Sequence, residues 1–279
     1  MIKLWQLFIR VLHKTKVLRF LNFTISLKLY GNKVIIPIIG HLGIYHVFMD
    51  EYWISDIFNI IKQECKICID IGANLGQTLV KLKAIDKNVK YLGLEPNSNC
   101  LFYLEKLIQV NGYPNCTIIP AGLSYTQKMD TIHFLWNEDT DRSATVYPVS
   151  DVSIIKKQIC NFITWNEIPS LNKADLHLIK IDVERAESDF LGQILNSEIN
   201  CIIIIEVLPL ENGEKTDRFE ICQSAIIKFG YMIFKINKRH EKFISLTRLN
   251  AFDIYSNVND CDYLLLKHHH LDFFENRIL

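Results

Sequence analysis

The sequence predicts an α/β protein built on a doubly wound, mostly parallel sheet. Three observations carry that prediction. From about residue 60 onward, short runs rich in Ile, Val and Leu alternate with helical stretches. Those runs are almost continuously apolar, as strands covered by helices on both faces must be. Several of them end in an acid or in a small-residue turn, and ligands of such sheets bind outside the carboxyl ends of the strands.

Each element follows in order. KICIDIG (66–72) reads as a buried strand and QTLVKLKAI (77–85) as the helix after it. VKYLGLEP (89–96) is a second strand, SNCLFYLEKLIQVNG (98–112) its helix, and CTIIPAGLS (116–124) a third strand leading into a loop. ADLHLIKID (174–182) is a fourth strand with a helix over 184–195, and NCIIIIEVLP (200–209) a fifth with a helix over 217–230. YMIFKIN (231–237) and DYLLLKH (262–268) read as the last strands. The polar stretch NEDTDRSATVYPVSD (137–151) breaks the alternation and is expected to be a mobile loop over a site.

Composition sets the limits. The chain has 279 residues, no net charge, 49% hydrophobic and 22% charged residues, which suits a soluble globular fold and argues against a whole-surface nucleic-acid binder. The balance is nevertheless uneven. Residues 1–49 hold Lys3, Arg10, Lys14, Lys16, Arg19, Lys28 and Lys33 and no acid, which leaves the remainder at 24 basic against 31 acidic, net minus seven. We therefore divide the chain into a basic N-terminal extension of helix and strand (1–60) and the α/β domain (61–279). On a helical wheel Leu4, Leu7, Val11 and Leu18 share a face flanked by Lys3, Arg10 and Lys14, a pattern that fits peripheral membrane contact. A helix packed on its own domain accounts for the same residues. No convincing secretory signal is read, and the eight scattered cysteines lack disulfide or zinc spacing, so a cytoplasmic, reduced protein is expected.

The strongest local signal is CIDIGANLGQT (68–78). A strand ends in Asp70, and Gly72, Asn74 and Gly76 make a small-residue turn before a helix, where the backbone can approach a ligand and free N–H groups meet an anion. The dinucleotide pattern G-x-G-x-x-G is not met. The turn reads better as a loop for an amino-acid-bearing nucleoside, with Asp70 near its ammonium. One βα unit later, Glu95 ends a strand in register, the place of an acid that accepts hydrogen bonds from ribose hydroxyls.

The motifs IDIGANLGQT, LGLEPN, IIPAGLS, LIKIDVERAE and IIIIEV come in the order found in FkbM-type methyltransferases, which this chain resembles over roughly residues 60–210. In that family the fourth motif usually reads KIDVEGAE, and Arg185 here replaces its glycine. The resemblance implies a Rossmann-like class I methyltransferase sheet ending in a reversed antiparallel strand. It implies S-adenosyl-L-methionine as cofactor and O-methylation, often of a sugar or glycan-like acceptor. Carried over by position, Asp70, Gly72, Asn74 and Gly76 would hold the methionine part and Glu95 the ribose. Residues Ala121 to Ser124, with Gly122 and Leu123 at their centre, would lie near the adenine.

Strand alternation points Lys180, Asp182 and Glu184 one way. Asp182 or Glu184 could take the acceptor's proton, tuned by Lys180. Glu187 reads as an acid complementing a helix start. Metal binding by Asp182, Glu184 and Glu206 is disfavoured. Glu206 is placed on the acceptor side, and Arg142 and Ser143 are placed against the substrate. His133 and Trp136 flank the polar loop, and His177 reads as a packed core residue. Two other functions stay open: a NAD-dependent sugar oxidoreductase or epimerase, and a non-catalytic donor-binding relative in which Arg185 fills the cleft or pairs with Asp182 or Glu187.

Overall fold

A computed structural model describes residues 2–48, 51–136, 140, 141, 143–148, 153–169, 171–211, 214, 216–238, 243–255 and 257–279. Helix α1 (Ile2–Lys14) is followed by a hairpin of β1 (Asn22–Leu29) and β2 (Asn32–Ile39). The hairpin turns on Tyr30 and Gly31 at φ 48° and 86°. Two successive positive φ values give the type I′ turn, whose twist matches that of the flanking strands. β1 and β2 form a two-stranded sheet, so Pro37 costs no ladder bond on the outer edge of β2. Two short helices, α2 (Tyr45–Phe48) and α3 (Tyr52–Ile61), lead into the winding.

The winding runs β3 (Cys65–Ile71), α4 (Gln77–Ile85), β4 (Lys90–Leu94), α5 (Ser98–Asn111) and β5 (Cys116–Ile119). The strands β6 (Gly122–Leu123), β7 (Lys128–Phe134) and β8 (Lys156–Ile163) then form a separate three-stranded sheet. The chain returns through β9 (Leu176–Ile181), α6 (Leu191–Asn196), β10 (Cys201–Glu206) and α7 (Asp217–Lys228). It closes with β11 (Met232–Asn237), β12 (Ser245–Leu249), β13 (Asp262–Leu266) and α8 (Leu271–Phe274).

The large sheet has the order β12-β11-β13-β10-β9-β3-β4-β5, with β3, β4, β5, β9 and β10 parallel. Strand β13 is inserted between β10 and β11 and runs antiparallel to both. The expected doubly wound sheet with a reversed C-terminal strand is therefore present. Its two faces carry separate apolar layers. Ile57, Leu79 and Leu104 pack one face, and hairpin residues Ile25, Leu27, Ile36 and Ile38 enter that same layer. Ile69, Ile179, Phe190 and Phe219 fill the other.

Four expectations change. The run 116–124 is broken at 120–121 so that Gly122 and Leu123 join the small sheet, because Gly122 pairs with Phe162. The helix over 184–195 is replaced by a left-handed bend at Glu184 and Arg185, a 3-10 turn at 187–189, and a helix starting only at Leu191. The final strand stops at Leu266, and the three histidines after Lys267 form a 3-10 turn. Leu18 lies beyond α1 in its own short turn and is fully buried, so it leaves the predicted helix face. The eight cysteines are all free, seven of them buried.

Lys83, 2% exposed, ties the far edge together. Its ammonium donates to the carbonyls of Val89 and Pro114 at 2.6 and 2.5 Å and of Lys87 at 3.1 Å. Burial pushes its pKa down, and the carbonyls take the place of water. Lys83→Met would leave these acceptors dry and is expected to cost about 2–3 kcal/mol in denaturant titration. Stability equal to the parent's would show that the carbonyls find other donors.

Candidate active site

The carboxyl ends of the parallel strands open into one cavity of about 850 Å³. It lies where winding switches direction, with β4 and β5 added beyond β3 on one side and β10 beyond β9 on the other. Open α/β sheets bind ligands at such a switch point.

One arm is built by the turn after β3. Gly72 has φ +86°, and a Cβ there would stand 1.8 Å from the carbonyl oxygen of Asp182. Glycine is therefore required both by conformation and by space. The N–H groups of Gly72 and Ala73 both donate to the Leu94 carbonyl at 3.0 Å. Asn74, at φ +45°, donates its N–H to Glu95 Oε2 at 2.7 Å, while Asn97 N–H donates to Glu95 Oε1 at 2.8 Å. Burial pushes the Glu95 carboxyl up to about 7 against the pull of these two donors. Gly72, Asn74, Glu95, Gly122 and Leu123 all line the cavity.

Asp70 and Gly76 are set behind that wall. Asp70 is 1% exposed. Its Oδ2 accepts from the Tyr91 hydroxyl at 2.6 Å, and its Oδ1 has no hydrogen-bond partner among the described residues. Burial pushes its carboxyl up to about 6, with Lys180 and Tyr91 pulling the other way. At Gly76, a Cβ would meet Leu104 Cδ2 at 2.8 Å, so this glycine serves the packing of α4 on α5.

The second arm is acidic. Lys180 donates to Asp182 Oδ2 at 2.5 Å. Burial works against the ammonium, but Asp182 and Asp70 outweigh it and hold the group above its ordinary pKa. Asp182, Glu184 and Glu206 bring one carboxylate oxygen each within 4.8 Å of one another. Oxygen ligands so spaced suit a hard divalent cation, and equally a shared proton. Burial first, then Asp182 and Asp262, pushes Glu206 up to about 10, and Glu206 hydrogen-bonds Asp182. With no cation among them, these carboxylates hold a proton at neutral pH.

Two features at this arm depart from expectation. Glu184 is off the strand, left-handed at φ 51°, and its carbonyl accepts from Thr145 Oγ1 at 2.5 Å. Glu187 opens no α-helix. It is 1% exposed, its Oε1 accepts from Arg185 N–H at 3.0 Å, and burial pushes it up to about 7. Arg185 itself pairs with Glu211 and Glu214, each at 2.5 Å.

Described residues of the polar segment, Asp141 and Ser143 to Val146, line the cavity. Ser143 donates through N–H and Oγ to Asp141 Oδ1 at 3.0 and 2.8 Å, and Asp141 Oδ2 receives the N–H groups of Leu135 and Trp136. The Tyr147 hydroxyl reaches Asp189 at 2.7 Å. Ser143 lines the cavity, whereas Arg142 is outside the described residues. His133 exchanges backbone hydrogen bonds with Thr145, Trp136 is 66% exposed, and His177 is buried with Nε2 against the Asn172 carbonyl.

Residues missed in the sequence are Asp141, Lys238 and Asp262. Asp262 faces Glu206 across the β10–β13 ladder and is ion-paired with Lys238. A reversed strand brings its first residue, rather than its last, to the carboxyl ends of its neighbours. Scanning DYLLLKH for its starting residue would have found Asp262.

No family model matches the chain, and no curated protein matches it significantly. Among solved structures, precorrin-6y C5,15-methyltransferase from Geobacter metallireducens GS-15 is similar at 12% identity, over 77% of this chain and 86% of that one, with a TM-score of 0.38. M. jannaschii TYW2 in complex with AdoMet is 12% identical over 87% and 83% of the two chains, at 0.38. P. horikoshii TYW2 in complex with MeSAdo is 11% identical over 87% and 69%, at 0.37. Likenesses this distant transfer no residue roles. The sheet's own order and its reversed strand are those of a Rossmann-like class I methyltransferase sheet.

Glu206 yields a stability prediction. Its folded pKa lies well above the unfolded value, so between roughly pH 5 and 10 the folded chain binds the extra proton and stability falls as pH rises. Glu206→Gln removes that dependence and is expected to raise the melting temperature at pH 8 while changing it little at pH 5. A variant destabilised equally at both values would contradict the assignment.

Proposed function

We propose that this chain is an S-adenosylmethionine-dependent O-methyltransferase acting on a hydroxyl of a saccharide or glycan-like acceptor. One observation carries the reading. The Gly72–Asn74 turn and Glu95, at the ends of adjacent strands and joined by the Asn74–Glu95 hydrogen bond, share a single cavity with the carboxylates of Asp182, Glu184 and Glu206. The first group suits a nucleoside with an amino-acid tail, and the second suits proton removal.

S-adenosylmethionine, when bound, supplies the methyl group. Gly72 and Asn74 would take its methionine part, Glu95 the ribose hydroxyls, and Gly122 and Leu123 the adenine. Asp182 would accept the hydroxyl proton as the acceptor oxygen gains its methyl, with Lys180 fixing the carboxylate's direction. Glu184, Glu206 and Ser143 would hydrogen-bond the acceptor's other hydroxyls. A neutral polyol suits this arm because its described cations are already engaged, Lys180 by Asp182, Lys238 by Asp262 and Arg185 by Glu211 and Glu214.

The test pairs binding with turnover. Calorimetry should show S-adenosylhomocysteine binding to the parent and to Asp182→Asn within about threefold, and Glu95→Ala weakening it by about tenfold or more. Across a glycan panel, Asp182→Asn should lose on the order of 100-fold or more in turnover. Affinity for NAD in place of both methyl-donor ligands would replace this reading with the oxidoreductase. Binding without turnover on any glycan would favour a non-catalytic donor-binding protein.

A pH profile adds an independent check. Glu95 titrates near 7, and its protonated form gives up an acceptor. S-adenosylhomocysteine affinity should therefore decline as pH falls from 8 to 6, and Glu95→Gln should be both weaker and flat. An unchanged slope in Glu95→Gln would remove Glu95 from the ribose role.

A further inference from the structure

We infer that α1 seats the protein on an anionic lipid bilayer, through a face the domain leaves uncovered. The helix has two apolar faces. Ile9 is 1% exposed, and Trp5 and Leu12 are half-buried against the same core layer as the hairpin. Gln6 Nε2 donates to the Val47 carbonyl at 2.8 Å and fixes the helix's rotation. That docking turns Leu4, Leu7, Phe8 and Val11 outward at 70, 61, 45 and 51% exposure. At 3.6 residues per turn, Lys3, Arg10 and Lys14 form a row along one border of this stripe. Beyond the helix, Phe20 is 74% exposed with the Arg19 guanidinium 4.6 Å over its ring.

Charge decides the occupant. All seven basic residues of the segment are exposed, and no acid accompanies them before Asp50. A second copy docked face to face would oppose two such cationic borders. An anionic headgroup layer complements them, while the aliphatic and aromatic stripe enters the acyl boundary. The helix is 13 residues long, and no described helix is long and apolar enough to cross a membrane, so α1 lies in the plane of the interface.

The measurement is sedimentation of the full chain with vesicles of phosphatidylcholine alone and of phosphatidylcholine mixed with phosphatidylglycerol. Partitioning onto the mixed vesicles should exceed that onto phosphatidylcholine by about tenfold or more and fall with added salt. Leu7→Glu with Val11→Glu should abolish it. Lys3→Glu, Arg10→Glu and Lys14→Glu together should remove the preference for anionic lipid. Because these side chains face outward, the melting temperature and S-adenosylhomocysteine binding should match the parent, so the outcome is independent of the cleft. Equal partitioning onto both vesicles, no partitioning onto either, or parent-like binding by Leu7→Glu/Val11→Glu would each overturn the proposal. Concentration-dependent dimers that this double variant dissolves, with no vesicle binding, would assign the stripe to a second copy instead.

Discussion

The site depends on one close backbone contact, that of Gly72 with the end of β9. The Asp182 N–H donates to the Ile71 carbonyl at 3.0 Å, and the space that any Cβ at 72 would need is already taken by the Asp182 carbonyl. Two strand ends are thus locked backbone to backbone at the switch point. From there the ties run outward: Gly72 and Ala73 to Leu94, then Asn74 to Glu95. Each uses main-chain donors just past the strand ends, so the backbone itself ties the two arms of the cavity together. Preorganisation of this kind spares a binding site the cost of ordering itself.

The charges follow from the same contact. Locking β9 against β3 puts Lys180 opposite Asp70 in register, with Asp182 one turn of the pleat farther along. Burying an ammonium is costly unless carboxylates surround it, and Asp70, Asp182 and Glu51 all pull Lys180 toward its charged form. Asp70 therefore acts from behind the wall, through the field it sets on Lys180 and through Tyr91. The acidic arm gains a fixed cation at its base, and Glu206, buried beside Asp182 and Asp262, is left to hold a proton.

The sequence made the winding legible because a buried parallel strand must be apolar on both faces, as in CIIIIE and LHLIKI, and such runs survive any packing detail. The turn at 72–76 was legible for a related reason: its glycines are demanded by backbone geometry. The early hairpin escaped because Tyr-Gly is a weaker turn signal than Asn-Gly, and Pro37 argues against a strand unless that strand is an edge. The start of α6 escaped because ERAESD carries good helix formers whose local preference is overridden by the bend. Asp262 stayed hidden because it opens a reversed strand, where the end of the run was read instead of its start, and Lys238 because it lies just past the end of β11.

Arg185 now has a physical account. It stands at φ 81°, and Glu184 before it at φ 51°. Left-handed backbone is the province of glycine, which explains the glycine of the resembled motif, and a side chain there costs on the order of 1–2 kcal/mol. The strain persists because the guanidinium, 8% exposed, is gripped by Glu211 and Glu214, and its own N–H by Glu187. Glu211 and Glu214 belong to the segment between β10 and α7, and Arg218 on α7 also pairs with Glu214. The residue that in sequence could fill the cleft or pair with Asp182 or Glu187 lines the cavity and gives its guanidinium to Glu211 and Glu214, binding the β10–α7 connection to the end of β9. A left-handed pair that only glycine would make without strain is thereby converted into an anchor for one wall of the acidic arm.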